Sequence, residues 1–474
     1  MAAGVEPLPA RGSAGGRFQK GVTRRRLLGA GAAGVLSGAV LAACSTTGAS
    51  GRTARAGAGP SSAHAGITLL FAPGYGAVTY NSTLVSLFQE AIQPFLAATP
   101  GVRVDFTASC CNGTTLATQN LAGAAPDVSA QFETQVILPA HAALDIAPYV
   151  QRDNVDTSVF GAGRLSVWQS NTGALYGLPM DTNAYGMVLN LTELNALGLS
   201  VPAKNWTSGD AQRLFERATH TNSQGKRVSG GSVMCYRDQV YMPDSLYLHG
   251  YGATYADPAN PAQCTLHTPA AIAAGHWVFD PLVNGVCQNV HSCFPFNMYY
   301  GTAVIDVFGL CSMLMTAQQL RGFDWDFWPM PTFPQGRFTH AGSDAYVIAS
   351  GTKHPEQAWE LVKWLATQPD WQRFQMNAML LAPVVQNLWD QYDTVVSAVA
   401  PPLATKDLTV LRDMGTFVLD SNFAYAPNEA VTIMGTYANQ ILAGKLSVDA
   451  AFPRIAAQIN ALEQAAAAGG QTSA

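Results

Sequence analysis

The chain has 474 residues, of which 48% are hydrophobic and only 12% charged. That balance can fill two ordinary domains or one large one, and it excludes a disordered chain. Six of the 26 basic residues and one of the 31 acidic residues fall in residues 1–43, leaving 20 against 30 and a net charge of −10 for the remainder. An acidic body of this kind argues against nucleic acid and against a polybasic membrane-binding surface.

Near the start, Arg24, Arg25 and Arg26 precede an apolar run, Leu27 to Ala43, that ends at Cys44. The run contains GAGAAG (29–34), but a dinucleotide-binding loop must follow a strand, and arginines stand there instead. Basic residues, an apolar run of this length and small residues at its end make an export signal. Dilution by glycine and alanine makes the run a poor permanent membrane span. TRRRLL (23–28) resembles a twin-arginine signal, which sends folded proteins across a membrane. LAAC (41–44) resembles a bacterial lipobox, which implies cleavage before Cys44 and lipidation of its thiol. Several acyl chains on one residue anchor stably. Residues 1–43 are therefore expected to be a twin-arginine-like lipoprotein signal peptide, and residues 44–66, which have little to bury, a flexible tether.

Order is expected from Ile67. The apolar run 67–72 predicts a strand covered on both faces. Leu84, Leu87, Phe88, Ile92, Phe95 and Leu96 predict a helix over 82–99. Residues 102–106 alternate as a strand, 114–123 read as a helix and 125–132 as a third strand. The β-α-β-α-β order predicts parallel strands with right-handed crossovers. Ligands in such sheets meet the carboxyl ends of strands, where Tyr75, Tyr80, Asn112, Gln131 and Phe132 fall. A helical stretch over 133–147 comes next, and then a strand passing Pro179 to Asn183 and running on to Leu191, followed by a short helix. Residues 340–374 repeat strand then helix, with Pro355 in the first helical turn and Ala358, Leu361, Val362 and Leu365 as the buried stripe. Two helices close the chain, the second with Ser447 as N-cap. Residues 299–317 are apolar, but Asp306, Gly301 and Gly309 interrupt them, which favours strand, turn and helix over a membrane span. There is no internal repeat.

Seven cysteines follow Cys44, so at least one thiol stays unpaired, and Cys110 and Cys111 are adjacent. Cys264, His267, His276, Cys287, His291 and Cys293 crowd together but fit no CxxC or HExxH spacing. Disulfides or buried thiols are expected there, and no metal.

Several pieces have a familiar order: GAAPDVSAQF (123–132), YGLPMDTNAYGMVLNLTEL (176–194), GTAVIDVFG (301–309), FDWDFWPMP (323–331), GSDAYVIASGTKHPEQAWELVKWLAT (342–367) and LAGKLSVDAAFPRIAAQI (442–459). With the leader, they resemble the extracellular solute-binding proteins of ABC importers, the family of maltose- and glycerol-phosphate-binding proteins, over nearly all of 67–462. The resemblance implies a two-lobed α/β periplasmic-binding-protein fold (type II-like). Each lobe would be a mostly parallel sheet flanked by helices, with a ligand cleft between. Crossings would fall near Pro179–Asn183 and Gly342–Tyr346. Lobe I would comprise 67–181 and about 342–395, and lobe II 182–341 and about 396–462. The C-terminal helices could straddle both, and 463–474 would be a tail.

That resemblance further implies a monomeric, non-enzymatic binding protein without cofactor or metal. It would be held at the extracytoplasmic face of the bacterial cell membrane through Cys44 alone, delivering a carbohydrate to permease subunits. By position, the ligand-binding residues would be Tyr75, Tyr80, Phe132, Asp181, Asn183, Tyr185, Phe308, Gly309 and Asp344, with Tyr241 from a segment that aligns poorly. Aromatic faces suit sugar rings, and carboxylates and amides suit hydroxyls. The competing expectations are a glycerol-phosphate-type ligand, for which Arg237 is the candidate cation, a secreted glycoside hydrolase using a carboxylate pair such as Asp324 and Asp326, and a metal-capture protein.

Overall fold

The structure is a computed structural model that describes residues 66–74, 82–107, 113–131, 137, 140–161, 164–170, 173–233, 246–257, 259–290, 294–339, 343–414 and 428–470. In chain order the strands are β1 (Ile67–Ala72), β2 (Val102–Phe106), β3 (Val128–Gln131), β4 (Leu178–Pro179), β5 (Tyr185–Asn190), β6 (His220–Thr221) and β7 (Arg227–Val228). They continue as β8 (Gly231–Val233), β9 (Ala256–Asp257), β10 (Asn260–Cys264), β11 (Cys287–Asn289), β12 (Ile305–Gly309), β13 (Trp325–Trp328) and β14 (Ala345–Ile348).

The first lobe is built on a sheet of order β2-β1-β3-β14-β4. β1, β2 and β3 are parallel, as the alternating pattern predicts. β14 runs antiparallel to both its neighbours, β3 and β4, because the chain re-enters this sheet from elsewhere, so β4 points the same way as β1–β3. The helix expected over 82–99 is broken at Ile92 into Ser82–Ala91 and Gln93–Ala98, with Pro94 in the first turn of the second piece. Of the stretch expected to be helical over 133–147, Ile137 is helical, residues 140–146 are not, and a helix begins at Ala147–Arg152, while 133–136, 138 and 139 lie outside the described residues. Leu144 N donates to Ile348 O and Ile146 N to Leu175 O, so these residues are tied to the sheet and unavailable to a helix. Behind the sheet, Phe71 packs edge-on against Tyr346 and tilted against Trp371, which stacks on Phe88, with centroids within 6.5 Å in each pair, and the helix Pro355–Thr367 buries Ala358, Leu361, Val362 and Leu365.

The second lobe carries the sheet β12-β5-β13, antiparallel throughout. The parallel pair β8–β11 adjoins it, since Val304 N and Ile305 N donate to Ser229 O and Gly230 O. Gly230 is required here: a Cβ would lie 1.7 Å from the Phe215 carbonyl oxygen of the helix Ser208–Ala218. The core on this side gathers Tyr247, Trp277, Phe279, Phe333 and Phe452, the last from the C-terminal helix Val448–Gly470. Ser447 Oγ accepts from Ala450 N, the expected cap.

Three passages join the lobes: 180–184 between β4 and β5, 329–344 between β13 and β14, and the stretch around the 3-10 helix Pro401–Thr405. The helix Trp389–Val399 packs on the first lobe through Tyr392, whose hydroxyl donates to Leu380 O. Soon after, Asp407 N donates to Asp326 of the second lobe. Apolar contacts run on through these passages to one face of the second sheet, including Val188, Phe308 and Phe327, so the lobes share a packed base.

Residues 301–317 form β12, a 3-10 turn and the helix Met313–Gln319. Among the described residues no helix is long and apolar enough to cross a membrane.

Candidate functional site

The passages bring one edge of each sheet together. In the first sheet Gln131, Ala345 and Pro179 lie side by side, at the end of β3, the start of β14 and the end of β4. In the second, Tyr185 at the start of β5 faces Gly309 at the end of β12. Leu310 N donates to Ala184 O, which fastens the turn after β12 to the passage. The carboxyl ends of β3 and β12 therefore converge on residues 180–185, where α/β sheets receive ligands.

The polar groups at this junction are densely bonded. Asp181 is fully buried, and its Oδ1 accepts from Asp344 N at 2.9 Å, while Met180 N donates to Asp344 O at 2.7 Å. Arg164 is 1% exposed; its Nε donates to Thr182 Oγ1 at 2.6 Å, and that hydroxyl donates on to Pro383 O. Burial pulls the Arg164 guanidinium down to about 10, against the pull of the Asp181 charge, so it stays protonated at neutral pH. Ser343 Oγ donates to Arg164 O, and Trp168 Nε1 donates to Ser343 O. Gln131 is 1% exposed, with Nε2 donating to Ser129 Oγ and Oε1 buried without a hydrogen-bond partner among the described residues. Asn183 is half-buried, and its Oδ1 is likewise buried and unpartnered. An unpaired buried acceptor costs about 1–3 kcal/mol, which a hydroxyl or amide donor from a ligand would offset.

Of the sequence-derived site residues, Asp181, Asn183, Tyr185, Gly309 and Asp344 are brought together at the junction. Tyr185 is nearly buried, with its backbone N–H and C=O both bonded to Thr339 Oγ1. Gly309 is extended (φ −116°, ψ 151°), so its conformation does not demand glycine. Phe308 points away from Gly309, as strand alternation requires. It is fully buried in the base, its ring centroid 4.7 Å from that of Phe327. Tyr75, Tyr80, Phe132, Tyr241, Arg237 and Cys44 lie outside the described residues. Sequence reasoning missed Arg164, Thr182 and Ser343. An arginine in GAGRLSVW has no local mark of burial; only the fold brings Thr182 to it.

The remaining chemical candidates fall elsewhere. Asp324 is bonded to Lys406 and Asp326 to the Asp407 N–H, away from the junction. Cys264 and Cys287 are buried free thiols, Cys264 pushed up to about 11 by burial and Cys287 further. His276 sits between the carboxylates of Asp280 and Asp449 at 3.0 and 3.1 Å. Among the described residues no group of His, Cys, Asp and Glu is disposed to hold a metal.

Comparisons with known proteins bear on this geometry. The family described as bacterial extracellular solute-binding protein matches residues 316–370. No curated protein matches the sequence. Among solved structures, an ABC substrate-binding protein from Listeria monocytogenes in complex with cycloalternan superposes with a TM-score of 0.67 at 14% identity, covering 84% of this chain and 99% of its own. UgpB from Mycobacterium tuberculosis in complex with glycerophosphocholine gives 0.66 at 16%, covering 83% and 98%. The sugar-binding protein MalE from Xanthomonas citri gives 0.63 at 17%, covering 85% and 99%. The family read from the sequence is thus the one whose pattern residues 316–370 match, and the chain has the two-lobed α/β fold of the ABC substrate-binding proteins.

Proposed function

We propose that this chain is a lipid-anchored extracytoplasmic capture protein that closes its lobes around a carbohydrate, a mono- or oligosaccharide, and hands it to the permease of an ABC importer. The observation that carries the reading is the junction: two lobes on narrow passages, with unsatisfied amide oxygens where strand ends meet. Gln131, Asn183 and Asp344 would bond hydroxyls, Tyr185 and Gly309 would line the floor, and Asp181 and Phe308 would support them from behind. Tyr75, Tyr80, Phe132 and Tyr241 would supply ring faces from the loops. Closure is a hinge motion, and the work is binding, not catalysis. Cys44 would hold the monomer at the membrane, with 44–66 as its tether and the net charge of −10 keeping it from nucleic acid.

A phosphodiester, as in the UgpB complex, is the second reading. It wants a cation, and the one at the described junction, Arg164, is buried and already bonded to Thr182. Melting temperature across a panel of maltose, longer maltodextrins, monosaccharides and glycerophosphocholine tests both. A sugar is expected to raise it, by the equivalent of about 2.7 kcal/mol at a hundredfold excess over Kd. A rise with glycerophosphocholine alone reassigns the ligand, and silence across the panel overturns the capture reading.

A further inference from the structure

Resting on that reading of lobe closure, we infer that Arg164 is a positioning residue: it clamps two of the passages to the first lobe and leaves Asn183 as the pivot of the first. The hydrogen bonds assign each passage residue to a side. Thr182 belongs to the first lobe three times over: its N–H donates to Ala382 O at 3.0 Å, its hydroxyl donates to Pro383 O at 2.8 Å, and it accepts from Arg164 Nε. Leu380, at a left-handed φ of 55°, ends the helix Pro369–Met379 and turns the chain so that those two carbonyls face Thr182. Gln372 Nε2 adds a bond to Met180 O.

Two residues further on, the allegiance has changed. Ala184 O accepts from Leu310 N, and Tyr185 exchanges two bonds with Thr339 Oγ1, both on the second lobe. Between them stands Asn183. Among the described residues no backbone hydrogen bond holds it, and its Oδ1 has no partner. The second passage switches sides in the same way, from Thr339 on Tyr185 to Ser343 on Arg164 O and Trp168 Nε1. Arg164 therefore grips the first passage with its guanidinium and the second with its carbonyl. One residue holds both at a common depth, so in the first passage the bend is confined to single bonds on either side of Asn183. A pivot this narrow lets the lobes turn without sliding across the shared base.

Amide hydrogen exchange and inter-lobe distances on the full chain without ligand test this. The Thr182, Tyr185, Leu310 and Asp344 amides are expected to be protected and the Asn183 amide to exchange fast; an Asn183 amide as protected as its neighbours overturns the pivot. Distances are read by pulsed electron resonance between labels at the exposed Leu121 and Val201, one on each lobe, introduced as unnatural amino acids to spare the native thiols. Thr182→Val and Arg164→Lys are each expected to add a second inter-lobe distance population. Val362→Ala, an equally buried change behind the first sheet, is expected to lower the melting temperature and leave the distribution unchanged. Distributions unchanged in both junction variants, or altered equally by Val362→Ala, overturn the clamp. None of these readouts needs a ligand, so failure of the carbohydrate reading would appear separately in the melting panel.

Discussion

Asp306 shows what a single residue does when its environment and its chemistry disagree. It is fully buried on β12, and burial pushes its carboxyl up to about 6, although the N–H groups of Met298 and Val307 donate to it at 2.9 and 3.0 Å. Desolvation outweighs those bonds. A carboxyl raised in the folded state contributes stability that is complete below its unfolded value, 3.8, and is lost as pH rises through about 6. Asp306→Asn removes that titration. Melting curves from about pH 4 to about pH 7.5 should therefore shift in the variant's favour by about 2–3 kcal/mol, and a constant difference across the range would contradict the assignment. The sequence showed only that an acid in an apolar run disfavours a membrane span; its bonding to the short helix Phe296–Tyr299 was invisible, because Met298 and Asp306 meet only when the chain folds back.

At the scale of elements, periodicity carried most of the information. β1, β2 and the helices at Pro355–Thr367 and Val448–Gly470 lie where apolar spacing puts them, because one buried face is enough to specify each. The helix Ser208–Ala218 adds a local signal: Thr207 Oγ1 accepts from Asp210 N at 3.1 Å while Asp210 Oδ2 accepts from Thr207 N at 2.9 Å, a capping box. Thr207→Ala should cost about 1 kcal/mol in denaturant unfolding, and no measurable loss would mean the tertiary contacts of Leu214 and Phe215 hold the helix unaided. The failures are equally local in cause. The strand expected to run from Pro179 to Leu191 stops at Pro179 and restarts at Tyr185, since residues 180–184 leave one sheet for another. Residues 140–146, within a stretch read as helical, are drawn onto Ile348 and Leu175. Both departures come from partners far away in sequence, which a local window does not contain.

For the whole molecule, the two lobes place different demands on the chain. The first keeps a parallel β1–β3 core, and the main sheet of the second is antiparallel, with β5 lying between β12 and β13 from far along the chain. Among the described residues, both cores are built from positions after Gly66. On the proposed anchoring through Cys44, Cys44→Ala should move the protein from the membrane fraction to the soluble fraction with its melting temperature unchanged. Retention in the membrane would refute anchoring through that thiol.

The ordered strand–helix segments were enough to indicate an α/β fold, and their resemblance to the family whose pattern residues 316–370 match implied two lobes, because each is a property of consecutive residues. The junction was only half legible. Asp181, Asn183, Tyr185, Gly309 and Asp344 could be named from their place in a familiar order, yet their division into bonded braces and unpartnered acceptors could not. That division depends on Arg164, Thr182, Ser343 and Gln372 arriving from four separate stretches, and burial of a polar group is a property of its neighbours in space.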